Sequence, residues 1–160
     1  MILIGLGSSL PLCGRPPQDV IRLAASALDA HFGVAALSRL YASPAWPDPA
    51  DPPFVNAALA LRDAPEPEAL LASLHAIEAA FGRRRSRKNA PRTLDLDLLA
   101  YGDVVRNGAF ALPHPGLRTR DFVLAPLADI APAYRPPLSD QSVSALLAAL
   151  GAVATVPIQG

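Results

Sequence analysis

The order in which strand-like and helix-like periodicity alternate over residues 2–99 restricts this chain more than any other feature. Residues 2–7, ILIGLG, are an apolar run suited to a buried strand. "PPQDVIRLAASALDAHFG", residues 16–33, places Val20, Ile21, Leu23, Ala24, Ala27, Leu28 and His31 at helical spacing, with proline at its start and Gly33 at its end. "VAALSRLY", 34–41, reads as a strand. "ASPAWPDPADPP", 42–53, holds five prolines in twelve residues, which forbids regular structure and predicts an ordered loop. "FVNAALALR", 54–62, resumes a strand. "PEPEALLASLHAIEAAFG", 65–82, predicts a helix with Glu66 and Glu68 near its positive end, an apolar stripe through Leu70, Leu74, Ile77 and Phe81, and Gly82 as its stop. "PRTLDLDLL", 91–99, is a strand again. The resulting β-α-β-β-α-β order is the split βαβ pattern of a ferredoxin-like α+β fold, an antiparallel sheet with helices packed on it. Beyond it, "YGDVV" and "NGAFALP" predict a small hairpin, residues 119–130 a short helix, and "SVSALLAALG" a last one.

The 160 residues suffice for one domain spanning the chain, and 51% hydrophobic with 18% charged residues predicts a folded globular protein. With 14 basic against 14 acidic residues, no global field draws the chain to nucleic acid or an anionic membrane, so any electrostatic partner is held by local charge. Cys13 is the only cysteine, which excludes an intrachain disulfide and a cysteine-rich zinc site. The N-terminal run lacks the layout of a secretory signal, and "ALLAALGAVATV" is too short to span a bilayer. A cytoplasmic protein is expected.

Two features carry chemistry. Asp95 and Asp97 alternate with Leu94, Leu96 and Leu98, so both carboxylates share one strand face about 6.6 Å apart, and like charges that close need open water or a compensating cation. A half-solvated strand explains the pattern as readily. The loop leading into it, "GRRRSRKNAPR", holds Arg83, Arg84, Arg85, Arg87, Lys88 and Arg92 without one acid. A solvated face or a nucleic-acid contact accounts for such a run, but cations beside a paired carboxylate also suit a polyphosphate carried with magnesium. No G-x-x-x-x-G-K-[ST] loop is present, so phosphate binding falls to side chains and metal. An RNA-binding module and a small-molecule sensor domain remain as alternatives at this point.

"RKNAPRTLDLDLLAYG", "YASPAW", "PFVNAAL" and "LPHPGLRTRDFVLAPLADIAP" occur in that collinear set between Gly5 and Pro132, and together they resemble the 6-hydroxymethyl-7,8-dihydropterin pyrophosphokinase family. The resemblance implies αβα layers and transfer of the β,γ-diphosphoryl group of ATP to the hydroxymethyl oxygen of the pterin, with AMP released. It implies that Asp95 and Asp97 hold two Mg2+ ions, and that Arg83, Arg85 and Arg92 neutralise phosphate charge. Glu78, Leu98, His114 and Arg120 match further ATP-side positions. Ser43, Pro44, Ala45, Trp46, Phe54, Asn56 and Phe122, together with Asp95, match the pterin side: Phe54 and Phe122 as stacking aromatics, Asn56 as the amide reading the ring edge. Taken singly, Phe54 and Phe122 read as core residues and His114 as a turn histidine. A monomer with ATP and the pterin as small-molecule partners, and no nucleic acid, is expected. The chain departs from the family at Lys88, Asn89, Ala90 and Pro91, where Arg-Trp-Gly-Pro is common, and at Ala109 and Ala111, where polar residues are usual.

Overall fold

The computed structural model describes residues 1–84 and 90–159. Among these, six strands and four α-helices follow one another: β1 (Ile2–Ser8), α1 (Pro17–Phe32), β2 (Val34–Leu37), β3 (Tyr41–Ser43), β4 (Phe54–Leu61), α2 (Pro67–Ala80), β5 (Asp95–Tyr101), α3 (Asp121–Ile130), α4 (Val143–Ala149) and β6 (Val156–Pro157). A 3-10 turn, Pro115–Arg118, precedes α3. The sheet runs β5-β1-β4-β3-β6, with β2 also on β4, and each pairing is antiparallel. Because β1 and β2 both pair with β4, α1 carries the chain across β4, and α2 carries it back across β1 to β5. That is the split βαβ arrangement expected from the element order.

Alternation on the strands divides the core in two. Ile4 and Leu6 of β1, Val55, Ala57 and Leu59 of β4, and Leu96 and Leu98 of β5 face one side, where they meet Val20, Ile21, Ala24 and Leu28 of α1 and Leu70, Leu74 and Ile77 of α2. Leu3, Ala58, Ala60, Leu99 and Ala100 face the other, against Leu124 and Leu127 of α3 and Val143 and Leu146 of α4. Two helical layers therefore enclose the sheet. No helix among the described residues is long and apolar enough to cross a membrane.

Three details differ from the sequence reading. Residues 34–41 are not one strand: β2 pairs Leu37 with Leu59 and β3 pairs Tyr41 with Asn56, four positions on the edge against three on β4. A bulge absorbs the extra residue, and the Ser38 Oγ takes over the ladder by accepting the Ala58 N–H at 2.9 Å. The hairpin expected over 101–113 closes at a single antiparallel bridge, Arg106 with Leu112, since Gly102 and Gly108 adopt positive φ and end the extended backbone on each arm. β6, two residues long and containing a proline, carries no legible strand pattern, yet it adds to the free edge of β3.

Candidate active site

The α3 and α4 layer covers only part of its face of the sheet. Beyond it, on the same face, Gly5 and Gly7 of β1 lie opposite Ala58 and Asn56 on one side and opposite Asp97 and Asp95 on the other. This patch has almost no side-chain height at its centre. A Cβ built on Gly7 comes 3.6 Å from Asn56 Oδ1, 3.7 Å from Phe54 Cδ1 and 3.8 Å from Asp95 Cβ, so even an alanine stands between the amide and the carboxylate. At the inner end the β1–β5 register shifts, pairing Leu3 with Ala100 and Ile4 with Leu98. Leu99 is the extra residue, and its Cδ1 lies 3.3 Å from the Cβ position of Gly5, closing the floor against the core. Above the floor opens a cleft walled by residues of β4, β5, α3 and the proline-rich loop, a concave place of the kind small ligands occupy.

The acidic side of the cleft is an ordered charge relay. Glu78, at the C-terminal end of α2, is buried with 3% of its surface exposed. Its Oε2 accepts the Leu96 N–H at 2.9 Å and pairs with the Arg83 guanidinium, which also donates to Asp95 Oδ1 at 2.8 Å. Burial raises the Glu78 carboxyl above its ordinary value, against the Leu96 hydrogen bond and the Arg83 charge. Arg92 lies 3.4 Å from the same Asp95 oxygen and is anchored through its backbone to Ser9, whose N–H donates to Arg92 O at 3.0 Å. Among the described residues, Asp95 thus meets two cations, Arg83 and Arg92. No described arginine or lysine forms an ion pair with Asp97, and burial, then Asp95, then Glu78 push its carboxyl up to about 7, with Arg92 and Arg120 pulling the other way.

His114 stands on the far side of Asp97, its Nε2 3.9 Å from Oδ1. Its Nδ1 accepts the Gly116 N–H at 3.0 Å, which leaves the proton of a neutral ring on Nε2, facing the carboxylate. Burial first, then Arg120, lower its pKa. A Cβ at Gly116 would lie 2.8 Å from Arg120 Cδ, so any side chain there displaces the Arg120 arm.

The remaining walls are flat or amide-bearing. Asn56 Nδ2 donates to Ser43 Oγ at 2.8 Å, both residues being buried, so the amide orientation is fixed by a partner on β3. Phe54 and Phe122 line the cleft from β4 and α3. The Arg120 guanidinium sits 5.5 Å from the Trp46 ring and 5.7 Å from the Phe122 ring, a double cation–π contact that joins the proline-rich loop to the start of α3.

Of the residues singled out from sequence, Ser43, Pro44, Trp46, Phe54, Asn56, Arg92, Asp95, Asp97, Arg120 and Phe122 line this one cleft. Arg83, Glu78 and His114 reach it through Asp95 and Asp97. Ala45 is buried beside it. The Leu98 side chain points into the opposite core, so only its backbone remains for a ligand. Arg85 lies outside the described residues, as do Arg87 and Lys88 of the basic loop. Gly5 and Gly7 were missed as site residues, although glycines at alternate strand positions signal close approach of a ligand or backbone.

The donor set at the head of β5 suits magnesium. Asp95 and Asp97 offer hard oxygens, and among the described residues no group of three or more His, Cys, Asp or Glu side chains is arranged to enclose an ion. Magnesium takes one or two protein carboxylates and completes its shell with phosphate oxygens and water, so the residues present fit it. A closed zinc site needs more protein ligands than this.

Comparison with known proteins agrees with this geometry. Residues 3–132 match the model of the family described as 7,8-dihydro-6-hydroxymethylpterin-pyrophosphokinase. A Synechocystis sp. protein named 2-amino-4-hydroxy-6-hydroxymethyldihydropteridine pyrophosphokinase is 38% identical over 159 residues, 98% of this chain and 79% of the relative. One of the same name from Pseudomonas aeruginosa is 39% identical over 140 residues, 85% of this chain and 83% of the relative. Among solved structures, the wild-type HPPK-DHPS of Plasmodium falciparum with pteroate superimposes with a TM-score of 0.73 at 12% identity, over 92% of this chain and 42% of that one. The chain therefore spans less than half of that longer protein, and the likeness to it is one of fold.

Proposed function

The chain belongs to the 7,8-dihydro-6-hydroxymethylpterin-pyrophosphokinase family, and on that premise we propose that its cleft transfers the β,γ-diphosphoryl group of ATP to the hydroxymethyl oxygen of 6-hydroxymethyl-7,8-dihydropterin, a step of folate biosynthesis. The products are AMP and the pterin diphosphate. One observation carries the reading: the carboxylate pair, the arginines and the aromatic-and-amide slot open into a single cleft over a glycine floor.

The flat ring lies between Phe54 and Phe122 over Gly5 and Gly7, where its thickness is accommodated by missing side chains. Asn56, held by Ser43, presents its remaining polar atoms to the ring edge, donating and accepting as an amide can. Arg92, Arg120 and Arg83 receive the triphosphate, and their charge counters what builds up on the phosphoryl oxygens during transfer. His114 points an N–H toward the Asp97 side. Asp95 and Asp97 are the residues that would hold two magnesium ions, which when bound neutralise phosphate oxygens and favour loss of the hydroxyl proton. We place the enzyme in the cytoplasm as a monomer.

The test is product analysis with ATP, magnesium and hydroxymethyldihydropterin. AMP with a diphosphorylated pterin is expected. ADP, or no pterin product, would refute the assignment.

A further inference from the structure

One carboxylate ties the C-terminal segment to the mouth of the cleft. Asp121 Oδ2 accepts the N–H groups of Ala154 at 2.9 Å and Thr155 at 3.0 Å, while Oδ1 accepts the Phe122 N–H at 2.9 Å. From there Val156 and Pro157 pair with Ala42 and Tyr41 as β6, and the Ile158 N–H donates to Leu40 O at 2.8 Å. Thr155 is buried, and Ile158 packs against the core. Residues 154–158 thus form a strap from the first turn of α3 to β3.

Both ends of the strap carry cleft walls. Arg120 and Phe122 flank Asp121 in sequence, and β3 runs on through Ser43 into Pro44, Ala45 and Trp46. At the start of α3 the N-cap residue, Arg120, makes no side-chain cap hydrogen bond, and it is Asp121 Oδ1 that accepts the first-turn N–H of Phe122. The same helix has a second tie to the β3 side at its other end. There Asp129 accepts from Arg39 Nε at 3.0 Å and from the Tyr41 hydroxyl at 2.8 Å. The Asp129 tie steadies the helix away from the cleft, and the Asp121 tie steadies the end that borders it.

We infer that Asp121 is a positioning residue for the flat substrate: through the 154–158 strap it sets the distance between the Phe122 wall and the Ser43–Trp46 wall. The inference rests on the pterin reading of the cleft. A slot that grips a planar ring has little tolerance in width, since dispersion contacts fall away with a gap of less than an ångström. Loss of the tie therefore weakens ring binding before it affects the phosphate side.

The experiment compares the full-length wild type with D121A, D121N, D121E and D129A in steady-state kinetics and amide hydrogen exchange. D121A is expected to raise the pterin KM about tenfold, with kcat and the ATP KM within about twofold of wild type. D121N keeps one oxygen able to accept both N–H groups and restores most of the affinity. Exchange at Ala154 and Thr155 speeds up in D121A and not in D129A, whereas D129A lowers the melting temperature and leaves the pterin KM unchanged. Should D121A fail to fold, D121E decides the matter: it keeps the charge, displaces it by one methylene, and must raise the pterin KM. An unchanged pterin KM in a folded D121A or D121E, or an equal rise in D129A, overturns the inference. Absence of pterin turnover by the wild type instead overturns the functional reading on which it stands.

Discussion

Glu78 Oε2 accepts the backbone N–H of Leu96, the residue between the two aspartates of β5, at 2.9 Å. β5 is a sheet edge, and this bond supplies a partner for an amide that β1 does not reach. The same carboxylate pairs with Arg83, so it fixes both the strand and a cation beside it. Replacing Glu78 with alanine strands the Leu96 amide and is expected to cost about 2–4 kcal/mol of stability. E78Q keeps an acceptor for Leu96 and loses the charge that holds Arg83, so it should recover most of the stability while kcat stays depressed. Chemical denaturation and kcat on the two variants check this separation.

Asp97 gives a sign that can be read from melting curves in magnesium-free buffer. Its folded carboxyl titrates at about 7 against an ordinary 3.8, so between those values the native state holds the extra proton. Its contribution is greatest below about pH 4 and is lost as pH rises through 7. The side chain is 38% exposed, and allowing for solvent screening the loss is about 1–2 kcal/mol. His114 runs oppositely, since its lowered pKa gives stability above 6.5 that fades as pH falls. D97N should therefore melt higher than wild type at pH 7.5 and at the same temperature or lower at pH 4.

The same variant should be nearly inactive. On the proposed reading, losing either carboxylate at 95 or 97 removes a residue that would hold magnesium, and D95A, D97A and D97N are each expected to lose about a thousandfold or more in kcat with the fold kept. A stabilised yet inactive D97N marks a residue retained for chemistry at a cost in stability. Circular dichroism beside turnover measures both.

Gly7 and Asn56 test the slot. The Cβ of G7A meets its neighbours at ordinary contact distances, and Gly7 has no positive φ, so the variant should melt within a few degrees of wild type. It should nevertheless raise the pterin KM, because the methyl occupies the floor. N56A removes the amide proposed to read the ring edge and should weaken pterin binding about tenfold while changing ATP binding far less. Calorimetric titration of each ligand separates the two effects.

Trp46 is the only tryptophan in the chain and stacks on Arg120, so its fluorescence reports on the cleft mouth. R120M should alter the emission of the free protein and raise the ATP KM. G116A, whose Cβ would collide with Arg120 Cδ, should shift the emission in the same direction with a smaller kinetic effect. Emission titrations against ATP and magnesium provide the readout.

Much of this was visible in the residues alone. Long periodic segments gave α1, α2, β1, β4 and β5, and alternation in "TLDLDLL" correctly divided Leu96 and Leu98 from Asp95 and Asp97, because a strand with one buried face tolerates no slip in register. The break between β2 and β3 stayed hidden, since it depends on one Ser38 hydroxyl replacing a ladder contact. β6 stayed hidden because two residues have no period. In the site, charged and aromatic residues stood out by type, but the glycine floor is defined by what is missing, and the strap held by Asp121 joins positions more than thirty residues apart in sequence.

A floor built from backbone has no rotamers. The walls of the cleft can be resculpted by exchanging one side chain for another, but over Gly5 and Gly7 any exchange adds atoms where, on the proposed reading, the substrate rests. If the pterin lies there as proposed, an inhibitor lying flat on those two residues would be hard to escape by point mutation, because a change that evicts the drug evicts the pterin with it.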